Sequence, residues 1–362
     1  MNKPFQKIYF DPYIFFSLIL LSILGLFFLF SASNANISIV SQQFAYVIAG
    51  FIIMVLVSQP DPDIFRRMSG LFLIFSFLLL GITYLFGPEI NGAQRWIRIG
   101  YVSFQSSELL KLAVPLFLAS FLFDKKLPIQ RKEIFISLVI IFCCFFFVFR
   151  QPDLGTALII ACSGLFVLFL SGLSWSFMGG SLILLIISSP FIWNILLHSF
   201  QRQRIATFFN PELDPFGASW NIIQSKVAIG SGGLLGKGFG EGSQTQLNFL
   251  PETETDFIFS VIGEEFGFLG VLLLLSIYLF LLLRCFYLAL SARDRFCRLV
   301  IGGLSLTFAA NLIINLSMVV GLLPVVGMPL PFISKGGSSL MSLFLAFGII
   351  VSMGTHKKFL PQ

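Results

Sequence analysis

Phe249-Leu-Pro-Glu252-Thr-Glu254-Thr-Asp256-Phe-Ile-Phe-Ser-Val-Ile-Gly-Glu264-Glu265 sets three carboxylates at the mouth of a strongly apolar helix and two more inside it. A charge within a membrane span costs roughly 3 kcal/mol on insertion scales, so such residues mark functional sites by default. Acids gathered where an apolar helix meets water suggest chemistry on a lipid-anchored substrate.

The rest of the chain has the same character. Of 362 residues, 57% are hydrophobic and 11% charged, against about 25% charged in soluble domains; the mean hydropathy is +0.94. This excludes a water-soluble globular enzyme. A run of about 20 apolar residues spans the bilayer core as a helix. Ten runs of about that size fall at 12–32, 42–58, 69–87, 103–123, 134–149, 153–171, 174–197, 257–283, 299–320 and 338–355. The expected fold is all-α: one polytopic membrane domain over 1–362, with about ten transmembrane helices.

Ten crossings put both termini on one side. That side then carries fourteen of the 23 Lys and Arg, including Arg66, Arg67, Lys125, Lys126, Arg284 and Arg293. Eight lie opposite, half of them in one long loop, and long loops weigh little in the positive-inside rule. The expected placement is a bacterial cytoplasmic (inner) membrane with both termini cytoplasmic. The net charge of +6 then reflects topology and anionic headgroups, not nucleic acid. Cys143, Cys144, Cys162, Cys285 and Cys297 form no CxxC, and three lie within apolar runs, so no disulfide is expected.

The long loop covers about 198–256. Trp220, Ile222, Ile223, Val227, Ile229, Leu234 and Leu235 make it too apolar for disorder. Ser219–Ile229 is predicted as an amphipathic helix on the outer interface, with 230–242 as a flexible lip. The glycine run around Lys237 fails the phosphate-loop pattern at both ends, so it is no nucleotide site.

Several clusters admit two readings each. Glu252, Glu254 and Asp256 follow Pro251 and suit the positive end of a helix dipole; alternatively one is a general base whose pKa partial burial raises. Glu264 and Glu265 lie about 12 Å deeper, at 1.5 Å per residue. Glu108 and Lys111 share a helix face, either as a structural ion pair or facing a phosphate. Arg95, beside the interfacial Trp96, is a belt residue or a bidentate pyrophosphate ligand. Asp153 opens a helix as its cap or lines a site. Pro324, Pro329, Pro331 and the Gly336-Gly337 pair break the pattern at membrane depth around Lys335 and Ser338, which points to a cavity wall.

Together these segments resemble the SEDS family of bacterial morphogenesis proteins across nearly the whole chain. The resemblance rests on Gly92-Ala-Gln-Arg-Trp96, Gln105-Ser-Ser-Glu-Leu-Leu-Lys111, Gln151-Pro-Asp-Leu-Gly-Thr156, Gln224–Gly233, Pro251–Glu265 and Pro324–Ser339. The Asp11-Pro12 pair and the Gly354-Thr-His-Lys-Lys358 ending look more like the elongation branch than the division branch. The resemblance implies a peptidoglycan glycosyltransferase that polymerises lipid II at the outer membrane face, partnered by a monofunctional class B penicillin-binding protein and other elongation-complex membrane proteins. It places the family's essential acid on Asp256.

Substrate contacts are then expected from Arg95, Glu108, Lys111, Asp153, Lys237, Glu252, Lys335 and Ser338. A divalent cation, Mg or Mn, on Asp256 and Glu252 is a further expectation. Two positions depart from the family: Glu254 stands where His is common, and Lys335 where Tyr usually precedes Gly-Gly. A lipid II flippase and a non-catalytic scaffold for the penicillin-binding protein are the rival functions. The crowding of polar candidates toward one membrane face favours surface chemistry over translocation.

Overall fold

Aspartate or asparagine caps five of the helices. A computed structural model of the chain describes residues 9–89, 94–99, 102–127, 129–174, 177, 179–180, 199–210, 218–247, 249 and 252–356. Asp11 accepts from the Ile14 amide and opens α1 (Pro12–Ala32). Asn36 likewise opens α2 (Ile37–Ser58), and Asp61 opens α3 (Pro62–Phe86). Asp-Pro at two of these starts combines a cap with a residue already set at the helical φ. The caps at Asn36 and Asp61 start α2 and α3 ahead of their apolar runs, and each helix then passes through polar residues, Ser41–Gln43 in α2 and Arg66–Arg67 in α3.

A two-stranded antiparallel hairpin follows, β1 (Trp96–Ile99) against β2 (Val102–Gln105), pairing Trp96 with Gln105 and Arg98 with Ser103. The span expected at 103–123 opens instead as the second strand of this hairpin. Next come α4 (Ser107–Leu122), α5 (Arg131–Phe149) and α6 (Leu154–Leu170), capped by Asp153. The expected span at 174–197 falls almost wholly outside the described residues. Beyond it lie α7 (Ser199–Phe209), α8 (Ala218–Ser231) and the one-turn α9 (Ser243–Gln246). Three long helices complete the chain: α10 (Ile258–Leu290), α11 (Arg295–Val319) and α12 (Gly337–Thr355).

Among the described residues seven helices are long and apolar enough to cross a membrane, and the shorter α6 is also apolar. The chain is therefore an all-α membrane protein with a small hairpin. Helix α12 packs chiefly on α2 and α11, and α4 sits among α3, α6 and α11. Phe308, Phe332, Phe344 and Phe347 meet edge-on or tilted against one another, and all four are buried.

Unbroken, the 33 residues of α10 would run about 50 Å at 1.5 Å per residue, well beyond a bilayer core. Gly267 breaks it, with φ 61° and ψ −158°, a conformation open to glycine. Backbone groups freed at membrane depth need partners, and residues 233–238 supply them. Phe268 N donates to Gly233 O and Leu269 N to Leu234 O, while Lys237 N and Gly238 N donate to Glu264 O and Glu265 O. The expected flexible lip is instead hydrogen-bonded onto the break. Helix α8 forms as expected but packs on α10, with Ser225 and Ala228 buried.

Candidate active site

Asp256 sits in the turn 252–257 that delivers the chain into α10. Glu252 enters this turn with a left-handed φ of 60° and accepts from Thr255 Oγ1 at 2.7 Å. The glycine at 327, at φ 76°, faces the acid: a Cβ there would lie 3.5 Å from Asp256 Oδ2. No hydrogen bond reaches the Asp256 carboxylate among the described residues. Burial pushes its pKa up to about 6; the Glu252 charge adds to this and Arg204, on α7, opposes it. A carboxyl held near neutrality is poised to take and release a proton.

The turn borders a cavity of about 330 Å³. Asp256 and Glu252 line it from α10's approach, Lys335 and Ser338 from the chain around the start of α12. Arg95 beside β1, Glu108 and Lys111 of α4 and Asp153 at the start of α6 line it as well. Eight of the nine residues singled out from sequence thus border one space. Lys237 does not; its Nζ lies 2.7 Å from Glu264 Oε1, in the cluster beneath the docked loop.

Each basic group in the cavity is held by a protein partner. Lys111 Nζ lies 2.6 Å from Glu108 Oε1, and Ser342 Oγ donates to the other Glu108 oxygen at 2.7 Å. The lysine is thereby fixed yet keeps donors to spare. Arg95 donates from Nε to Gln151 O at 3.0 Å and from Nη2 to Pro152 O at 2.5 Å. Two of its five N–H groups are used, leaving three. Asp153 caps α6 through Thr156 N at 3.1 Å and accepts from Gln105 Nε2 at 2.8 Å. Both readings of Asp153 hold at once: it is a cap, and it lines the cavity. The two family departures meet, with Lys335 Nζ 2.5 Å from Glu254 Oε2.

Gln105, Ser342, Asn315 and Arg204 were not singled out from sequence. Ser342 follows Ser338 by four residues on one helix, so its shared face was readable. Arg204 faces an acid 52 positions later in the chain, and no local pattern announces that.

The fold and site define a multi-pass membrane protein whose cavity is bordered by a perturbed acid and by fixed cations. A family model described as cell cycle protein, spanning FtsW, RodA and SpoVE, matches residues 11–359, and the chain belongs to that family. It is 44% identical over 357 residues to peptidoglycan glycosyltransferase MrdB of Escherichia coli K12, covering 99% of this chain and 96% of that protein. It is 34% identical over 356 residues to stage V sporulation protein E of Bacillus subtilis 168, covering 94% and 96%.

Among solved structures it resembles a chain of a peptidoglycan synthase complex that coordinates polymerization and crosslinking. The TM-score is 0.83 at 28% identity, covering 95% of this chain and 97% of that one. Thermus thermophilus rod shape determining protein RodA matches with a TM-score of 0.74 at 27% identity, covering 97% and 99%.

Proposed function

We propose that the chain is an inverting peptidoglycan glycosyltransferase of cell elongation, polymerising lipid II at the outer face of the cytoplasmic membrane. The observation that carries this is the Asp256 carboxylate: bordering the cavity, without a hydrogen-bond partner among the described residues, titrating near 6, and sharing that space with Lys111 and Arg95.

Asp256 takes the proton from the 4-hydroxyl of the acceptor's GlcNAc. That oxygen attacks the anomeric carbon of the donor's MurNAc, and the bond from this carbon to the lipid diphosphate breaks. The electron pair leaves with the diphosphate, whose growing charge Lys111 and Arg95 stabilise from fixed positions. Because Glu108 and two backbone carbonyls already orient these cations, little rearrangement is needed at the moment of reaction. A monofunctional class B penicillin-binding protein cross-links the product. Likeness to a chain of a synthase complex supports that partner.

The chain's carboxylates suit a divalent cation only with help. Among the described residues no three His, Cys, Asp or Glu gather into a ligand cluster; Asp256 and Glu252 border the cavity as a pair. Magnesium and manganese accept such a pair when diphosphate oxygens and water complete the shell. A cation so held supplies positive charge for the leaving group.

The test is glycan polymerisation from purified lipid II, with and without the cognate penicillin-binding protein, its transpeptidase blocked. Wild-type chain is expected to make polymer and a folded Asp256→Ala variant none. Polymer from both removes Asp256 as base; polymer from neither returns the flippase reading.

A further inference from the structure

Three consecutive backbone carbonyls in the Asp256 turn each receive a donor from the C-terminal third of the chain. Glu254 O accepts from Lys335 N at 2.9 Å, and Thr255 O from Ser334 Oγ. Asp256 O accepts from Asn315 Nδ2 at 3.1 Å. The same Asn315 amide reaches Met328 O at 2.6 Å, tying the turn to the irregular chain before α12. Asn315 is fully buried on α11, and its Oδ1 has no partner among the described residues. Ser334 is held in turn: Gln43 of α2 donates to its carbonyl, and Leu330 N donates to its hydroxyl. Outside these bonds the Glu254–Lys335 ion pair closes the two segments together.

We propose that Asn315, Ser334 and the Glu254–Lys335 pair are a positioning clamp that fixes where Asp256 stands over the cavity. The proposal rests on the reading of Asp256 as base. The ion pair's side chains are 36% and 26% exposed, and a pair so wetted contributes little stability. Its work is geometric: Lys335 borders the cavity, yet Glu254 takes its ammonium and joins two loops 81 residues apart. The sign of each charge is then immaterial provided the two remain opposite.

The experiment is steady-state polymerisation from lipid II by the full chain and its variants under the conditions set out for Asp256→Ala. Glu254→Lys and Lys335→Glu alone are expected to lower kcat about tenfold with KM within about twofold, because the acid shifts by a fraction of an ångström. The double variant E254K/K335E is expected to recover to within about threefold of wild type. Asn315→Ala, which frees the Asp256 carbonyl, is expected to lose about a hundredfold in kcat.

A reversed pair no better than its single variants overturns the proposal, and so does a KM rise in Lys335→Glu that the reversal leaves in place; either makes Lys335 a substrate contact. The charge reversal decides even where Asn315→Ala fails to fold. Polymer from Asp256→Ala overturns the base reading and the clamp with it. An inactive Asp256→Ala beside wild-type kcat in all the clamp variants overturns the clamp alone.

Discussion

Asp256, just before α10, and Glu264, within it, stand eight residues apart, and the molecule treats them oppositely. Glu264 is fully buried and saturated. Its carboxylate takes Lys237 Nζ at 2.7 Å, Ser243 Oγ at 3.2 Å, Gln244 N at 3.1 Å and Thr245 Oγ1 at 3.2 Å. Those donors come from the docked loop and from α9, so the charge fastens that loop over the break at Gly267. Asp256 receives the Asn315 amide on its backbone carbonyl while its carboxylate is left to the cavity. An acid whose oxygens are all engaged has no capacity for a passing proton; one that is positioned but unsatisfied has.

The same isosteric change should therefore split the two acids. Asp256→Asn is expected to lower the polymerisation rate at least a thousandfold. It should not destabilise the fold at pH 7.5: an aspartate that ionises near 3.8 when unfolded and near 6 when folded holds its proton more tightly in the fold. That contribution is present below 3.8 and lost as pH rises through 6, so removing the charge raises the melting temperature at pH 7.5. Glu264→Gln should do the reverse. It is expected to cost about 2 kcal/mol, on the low side for a broken buried pair because Lys237 keeps access to water, with the rate per folded molecule within about threefold. Thermal melts in detergent beside polymerisation assays check both; equal rate losses would abolish the distinction.

Lys111→Met comes next, with an expected loss of about a hundredfold in kcat as the leaving diphosphate loses a fixed cation. Glu108→Gln should lose less, since it loosens the lysine without removing it. A Lys111→Met enzyme near wild-type rate would make the pair structural, like Lys237–Glu264.

Much of this was legible beforehand, for reasons that differ by feature. The spans follow from length and apolarity, and the first apolar run begins at residue 12, where α1 begins. Eight of nine site residues border one cavity because a bilayer leaves few places where buried charge is tolerated. Lys237 misled: its glycine surroundings suggested mobility, while those glycines permit the close approach to the α10 backbone. The β1–β2 hairpin was hidden because four-residue strands beside a span carry little pattern of their own. Arg204 beside Asp256 and Glu254 against Lys335 are contacts between distant segments, which local spacing does not encode. Glu254 and Lys335 depart from the family 81 positions apart; in the fold they are one exchange, an acid answered by a base.

The smallest effect sharpens the comparison most, because it tests why Asp256 differs rather than that it does. Two charges bear on its carboxyl, Glu252 from its own turn and Arg204 from α7, with burial the larger influence. A base must be ionised, so the rate should rise with pH through about 6 and level off above. Glu252→Gln removes a repelling charge, favours the ionised acid, and should move that rise to lower pH by roughly half a unit. Arg204→Gln removes an attracting charge and should move it upward by a similar amount. Profiles of kcat/KM from pH 5 to 8 at fixed ionic strength resolve both, since free-enzyme groups govern that ratio. Shifts of opposite sign would tie the rate to Asp256 and to no other acid in the cavity. Coincident profiles would mean that burial alone sets this carboxyl, and that Arg204 belongs to the loop rather than to the chemistry.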